Sequence, residues 1–301
     1  MQSQSAQKRK IRQTLVAYSF IAPNFIGFAV FTLGPIIMAF LLAFAEWDGN
    51  NPLKFVGISN FTGLFTNDRF MASLKNTIVY SLFTVPFTLI VALGLAILLN
   101  QKIRARTFFR TVAFFPYVAS LVAVAAVWNM LFTPAKGGLI NQLLMNVLHM
   151  QPLKWAASPK TVMFTIVLFS IWKNMGYYMV IYLAGLQGIS EDLYEAAALD
   201  GAGALQKFRY VTLPQLKPTT FFVTIMLTIS CFKIYDIVYM LAGGSNGVVN
   251  KSATVLVYYI YEEAFRNWHL GSASAAALVL FAIVLIVTLI QFRGEKNYAN
   301  D

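Results

Sequence analysis

The chain has 301 residues, 58% of them hydrophobic and only 12% charged, with a formal net charge of +11. A soluble domain usually carries about 25% charge, so the composition excludes an ordinary soluble protein and indicates an integral membrane protein. The single Cys231 excludes an internal disulfide, and His149 and His269, far apart and without a neighbouring cysteine, offer no metal site.

A helix needs about 20 apolar residues to cross the hydrocarbon core. Six stretches qualify, at roughly Leu15–Ala45, Asn76–Leu99, Thr111–Phe132, Thr161–Leu186, Thr219–Leu241 and Ser272–Gln291. No Asp, Glu, Lys or Arg occurs from Gln13 to Ala45. That run is too long for a secretory signal and has no small-residue cleavage site, so it is expected to be a retained helix kinked at Pro23 or Pro35. Residues 1–14 precede it as a polar, basic tail, mobile or anchored at anionic lipids. Residues 15–292 form the transmembrane domain, and 293–301 a second tail.

Loop charges set the orientation. With the N-terminus in the cytoplasm, the cytoplasmic segments carry thirteen basic residues and the opposite loops eight. Lys8, Arg9, Lys10 and Arg12, then Lys102, Arg104, Arg106 and Arg110, weigh most because they flank the first spans. Both termini are therefore expected inside. This bias explains the positive charge more simply than a nucleic-acid partner does. Trp47, Trp155 and Trp268, near the outer ends of spans, read as an interfacial aromatic belt. Gly94, Gly176, Gly185 and Gly271 read as sites of close helix packing.

Two spans contain unusual polar groups. Lys173, Asn174, Tyr177 and Tyr178 lie in the fourth, and Ser230, Lys233, Tyr235 and Asp236 in the fifth. Lys233 and Asp236 are three apart, which on one helix puts them on one face as a pair. Ionisable groups at membrane depth usually face a bundle interior. They suit a path for a hydroxyl-rich solute, or equally an ion pair that fixes packing and a lysine that snorkels to an interface.

Between these two spans lies a polar loop, residues 187–218. Ser190-Glu191-Asp192 reads as a helix start, with a capping hydroxyl and acids at the positive end of the dipole. Good helix formers follow to Ala198, and Gly201 permits a turn with positive φ. A second short helix is expected near Ala204–Tyr210, and Pro214 and Pro218 mark the start of the fifth span. The product is a helix–turn–helix knob. It is either a docking site, with alanines that admit a partner's backbone and Glu195 as a rim charge, or an ordinary interfacial loop.

The spacing Glu195-Ala196-Ala197, three residues, Gly201, nine residues, Val211, one residue, Leu213-Pro214 resembles the motif of ATP-binding-cassette importer permeases. Val211 stands where isoleucine is usual. Pro23 and Pro35, Val56–Phe61, Gly138–Asn141, Ile171–Lys173, Leu183–Gln187 and Asp200-Gly201-Ala202 resemble the carbohydrate branch, the maltose-type first permease. Ala242-Gly243-Gly244-Ser245 departs from that branch, which often has Thr-Gly-Gly-Gly-Pro there. The resemblance covers nearly the whole chain. It implies an all-α, polytopic protein with six transmembrane helices in the type I importer permease fold, in a bacterial or archaeal cell (inner) membrane among lipid. It implies a second homologous permease, two ATPase subunits, an extracytoplasmic solute-binding protein and a sugar substrate. It assigns ATPase coupling to Glu195, Ala196, Ala197, Asp200, Gly201, Leu213 and Pro214, and lines the solute cavity with the fourth and fifth helices.

The chain itself is not expected to be an enzyme or to hold a cofactor. Asn250-Lys251-Ser252 comes nearest to a phosphate-binding loop, but asparagine stands where that motif needs glycine. No Ser/His/Asp or Cys/His constellation is present. Alternatives are an importer permease for a polyol, a glycerophosphate or an oligopeptide, an ion-driven secondary transporter or channel, and a membrane scaffold without transport. Against the ion-driven reading stand the lack of a second Glu-Ala-Ala loop and the expectation that no span is broken.

Overall fold

The structure is a computed structural model that describes residues 2–134, 137–242 and 250–299. It is helical, with one pair of two-residue strands among the described residues. The backbone divides into two compact units, Met1–Leu64 with Glu263–Leu278, and Phe65–Glu262 with Val279–Asp301.

The first unit begins with α1 (Gln2–Phe28), a π-helical turn at Ala29–Leu33, and α2 (Gly34–Leu42). The segment expected as a tail is thus helical from Gln2. Pro23 is accommodated within α1, and the irregularity precedes Pro35. Proline has no N–H to offer the carbonyl four residues back. The chain widens just before it, so that the Gly34 N–H bonds the Ala29 carbonyl five residues back. Strand β1 (Ala45–Glu46) then pairs antiparallel with β2 (Lys54–Phe55). Between them, the Asp48 carboxylate accepts the Asn51 and Asn50 N–H groups at 2.8 and 3.0 Å. The Asn51 N–H first, then that of Asn50 and the Asn51 side chain, hold the Asp48 carboxyl below its ordinary range. In α3 (Ser59–Thr66), Asn60 donates to the Ala43 and Ala45 carbonyls, both at 2.9 Å. Gly271 approaches the same place, where a β-carbon would overlap the Ala45 carbonyl oxygen. Trp47 and Trp268 line a cleft of about 760 Å³ together with Asp48 and His269.

In the second unit, α4 (Asp68–Asn100) is capped by Asn67, which accepts the Arg69 and Phe70 N–H groups. Helices α5 (Arg106–Val118) and α6 (Leu121–Leu131) follow, bent by 100° at the break between them. After α7 (Leu139–Asn146) comes α8 (Val162–Gln187). The polar loop holds α9 (Glu191–Leu199), α10 (Ala204–Lys207), a π-helical turn at Phe208–Thr212, and α11 (Leu213–Gln215). Helices α12 (Lys217–Phe232) and α13 (Asp236–Ala242) form a second broken pair, bent by 51°. The chain closes with α14 (Asn250–Ala253), α15 (Leu256–Phe265) and α16 (Leu270–Ala299), the last running through most of the expected C-terminal tail. The expected departure at Ala242–Ser245 lies, beyond Ala242, outside the described residues.

Among the described residues, four helices are long and apolar enough to cross a membrane, and the total is six if each bent pair is one span. The expectation of unbroken spans is thereby overturned, because two of the six are bent. Of those four helices, α8 is the most buried. It packs against α4, whose buried residues include Ser73, Thr77, Ser81, Thr84, Thr88, Ala92 and Ala96, about one turn apart. Small side chains let the backbones approach closely. Phe169, Met179 and Tyr182 of α8 and Val223 and Leu227 of α12 fill the core. Leu82 and Ile90 of α4 face outward, where only hydrocarbon is a suitable solvent.

Three of the glycines are packing sites and one is not. A β-carbon on Gly176 would lie 2.7 Å from the Phe114 Cα of α5. One on Gly185 would lie 2.6 Å from Thr219 Oγ1 of α12. Gly271 is equally confined, but nothing lies within 4 Å of the corresponding position at Gly94. Trp155 also departs from expectation. It is buried, and its Nε1–H donates to Asn141 Oδ1 at 2.9 Å. Asn141 in turn donates to the Thr133 and Leu153 carbonyls. That loop is therefore tied inward, and Trp155 is unavailable to a lipid interface.

Candidate functional site

The polar loop folds as the local rules require. Ser190 Oγ accepts the Asp192 N–H at 3.3 Å, and Glu191 and Asp192 occupy the first turn of α9. At the other end Gly201 has φ +78°. The Gly201 N–H bonds the Ala198 carbonyl at 3.1 Å, and the Ala202 N–H bonds the Ala197 carbonyl at 2.9 Å. This paired closure satisfies carbonyls that the helix end leaves free, and it requires the left-handed residue. The Gly203 N–H then donates to Gln206 Oε1 at 2.7 Å and starts α10.

The second helix runs further than expected, to Gln215. It crosses the π-helical turn in which the Leu213 N–H bonds the Phe208 carbonyl. Pro214 follows immediately, as Pro35 follows the earlier π-turn. In both places the missing proline donor is met by widening the turn before it.

The motif residues form a surface. No residue of α9 is buried. Glu195, Ala196, Asp200, Gly201, Leu213 and Pro214 are exposed and Ala197 is half-buried. Three large apolar side chains stand out beside them: Leu199, Leu205 and Tyr210 are 89%, 78% and 70% exposed. Sequence reasoning passed over these three. The signal was present, since large apolar residues in a charged, non-spanning loop have no intramolecular reason to be there.

The candidate path residues fall into two groups. In the first, the Lys173 ammonium donates to the Pro116, Tyr117 and Ala119 carbonyls at 2.9, 3.4 and 3.2 Å. These carbonyls lie at the C-terminal end of α5, where the break leaves acceptors unpaired and the helix dipole is negative. All three ammonium protons have acceptors, so Lys173 stabilises the broken helix. Asn174 donates to the Ser170 carbonyl, one turn back on α8. Tyr177 stacks on Tyr117 with centroids 4.5 Å apart and meets Tyr178 edge-on. Tyr178 is buried beside Ser230 and Cys231, which joins α8 to α12.

The second group lies at the break in the fifth span. Lys233 follows the end of α12 and Asp236 opens α13, both exposed. The expected shared helix face is absent because the helix is interrupted between them. Tyr235, within the break, joins Tyr239, Tyr258 and Tyr261 in an aromatic cluster, with centroids 5.6, 5.9 and 5.1 Å from its own. These rings offer flat apolar faces beside exposed charges. Among the described residues, no group of three or more His, Cys, Asp or Glu is placed to hold a metal ion.

Comparison with known proteins gives this arrangement a family. Residues 85–297 match the model of the binding-protein-dependent transport system inner membrane component. The chain is 37% identical to the probable ABC transporter permease protein YesP of Bacillus subtilis, over 98% of this chain and 95% of that protein. It is 34% identical to the arabinooligosaccharides transport system permease protein AraP of the same organism, over 94% and 90%. Its fold superposes on a chain from the crystal structure of a bacterial ABC transporter involved in the import of the acidic polysaccharide alginate. The TM-score is 0.85 at 23% identity, covering 97% of this chain and 99% of that one.

Proposed function

We infer the function from the family: the chain belongs to the binding-protein-dependent transport system inner membrane components. It is a permease subunit, a multi-pass protein of the cell membrane in a bacterium or archaeon, or of the inner membrane where two are present. It forms half of a translocation path, and a second, homologous permease forms the other half. Two ATP-binding-cassette ATPases drive the cycle, and an extracytoplasmic binding protein delivers the solute. The solute is a carbohydrate, a reading supported by the similarity to an arabinooligosaccharide permease and by tyrosine faces beside polar groups in the broken spans. The chain contributes no hydrolysis of its own.

The observation that carries this reading is the knob from Glu195 to Pro214. It contains Lys207 and Arg209, and Glu191 and Asp192 precede it, so it does not sit in hydrocarbon. The basic bias of Lys207, Arg209 and Lys217 supports a cytoplasmic location for it and for both chain termini. There the exposed Leu199, Leu205 and Tyr210 are suited to burial in a cleft on the ATPase. ATP favours the closed ATPase pair, and the knobs carry that closure to the spans as a domain motion.

The test is association. Full burial of a leucine side chain contributes about 1.5–3 kcal/mol, so Leu199→Ser and Leu205→Ser are each expected to weaken ATPase binding by at least about tenfold. Titration of the ATPase subunit onto the detergent-solubilised permease pair reads this. Unchanged affinity in the doubly substituted chain would remove the knob as the contact.

A further inference from the structure

We propose that the hydrogen bond between Tyr194 and Thr212 is a strut that makes the knob a single rigid lever, so that Tyr194 is a positioning residue for coupling. The proposal rests on the reading of the knob as the ATPase contact. Tyr194 lies on α9, immediately before the Glu-Ala-Ala run. Thr212 lies at the end of the π-helical turn, immediately before Leu213-Pro214.

The knob has two limbs, α9 on one side and the run from Ala204 to Gln215 on the other. Their covalent link passes through the turn at Gly201, a residue with the widest backbone freedom. Helix α9 buries no side chain, so packing within this chain does little to fix its angle. Across the gap, Tyr194 Oη and Thr212 Oγ1 are 2.9 Å apart. Among the described residues, no other side-chain hydrogen bond joins α9 to the second limb. Thr212 is buried and its hydroxyl donates onward to the Lys207 carbonyl at 3.4 Å. With that proton engaged, Tyr194 is the donor and Thr212 the acceptor.

The acceptor is well placed to pass on a load. Four residues after Thr212, Leu216 is fully buried. It packs under Gly185 of α8, where a β-carbon would lie 3.0 Å from Leu216 Cδ2. A push on α9 thus reaches α8 through Tyr194, Thr212 and the start of α12. Without the strut the same push bends the knob at Gly201.

Paired spin labels on the full chain, assembled with its partner permease and ATPases, test this. The labels replace Glu191 on α9 and Arg209 on the second limb, in a Cys231→Ser background. The wild-type lever is expected to give one narrow distance distribution that ATP leaves unchanged. Tyr194→Phe and Thr212→Val are each expected to raise the share of molecules outside the main distance about fivefold, which is what loss of one ordinary hydrogen bond does to a two-state population. That share should grow further with ATP. The double substitution should be no worse than either single one, because both remove the same contact, and Thr212→Ser should keep the narrow distribution. A Tyr194→Phe distribution that stays narrow with ATP, or a wild-type distance that changes with ATP, would overturn the strut. If the wild-type chain holds no ATPase, the docking reading fails, and the comparison without ATP still decides whether Tyr194 fixes the angle.

Discussion

Valine at position 201 is expected to abolish coupling while leaving the membrane helices assembled. Gly201 has φ +78°, and nothing lies within 4 Å of where a β-carbon would sit. The demand at this position is therefore conformational and not one of space. The left-handed region costs an L-residue roughly 1–2 kcal/mol, and a β-branched side chain is a true outlier there. Valine would abandon the turn, and with it the closing bonds to the Ala198 and Ala197 carbonyls. The two limbs of the knob would then meet at a different angle, with Leu199 and Leu205 displaced from each other. Asparagine tolerates this region, so Gly201→Asn should retain most activity, with Gly201→Asp close behind. The measurement is solute uptake and ATPase rate in the assembled transporter for the three variants. Equal coupling in Gly201→Val and the wild type would show that the turn is not needed.

Alanine at position 176 is expected to have the opposite phenotype: poor accumulation and low stability with an intact knob. Gly176 has ordinary helical geometry, and what it lacks is room. An added β-carbon would overlap the Ala113 carbonyl oxygen and come 2.7 Å from the Phe114 Cα, both backbone atoms of α5. A side chain can rotate away from a clash, whereas a helix backbone must move as a whole. Overpacking of this kind costs about 1–3 kcal/mol and sometimes more. The displacement would also pull α5 from Lys173, one turn earlier on α8, whose ammonium caps the break between α5 and α6. Gly94→Ala is the control. It sits in a helix with no atom near, so alanine should be harmless or stabilising by up to about 1 kcal/mol. Thermal unfolding in detergent should show a lower midpoint for Gly176→Ala and no decrease for Gly94→Ala. Equal midpoints would contradict the close crossing.

These two glycines also show what the sequence can and cannot disclose. The knob was legible because its determinants are local: a serine cap, acids in the first turn, alanines, and a glycine two residues past the helix end. The spans were legible because hydrocarbon demands long apolar runs. Gly94 and Gly176 looked alike, since what distinguishes them is a neighbour more than sixty positions away in the case of Gly176. The role of Lys173 was hidden for the same reason, as its acceptors lie 54 to 57 residues earlier. Pro116 hints at the break after α5, but neither glycine nor proline marks the one between Phe232 and Asp236. There the three-residue spacing of Lys233 and Asp236 misled, because a helical spacing rule holds only on a continuous helix. Leu199 and Leu205 are set apart by their exposure, which depends on how the two limbs of the knob fold and not on local sequence.

As proposed, this chain is a passive permease half moved by an ATPase through its knob. The most direct measurement is uptake of labelled oligosaccharide by the assembled transporter in proteoliposomes, with ATP supplied on the face the knob occupies and no ion gradient. The expected result is uptake that stops when ATP is replaced by ADP and persists with a proton uncoupler. Uptake that runs on an ion gradient without nucleotide would rule out an ATPase-driven permease.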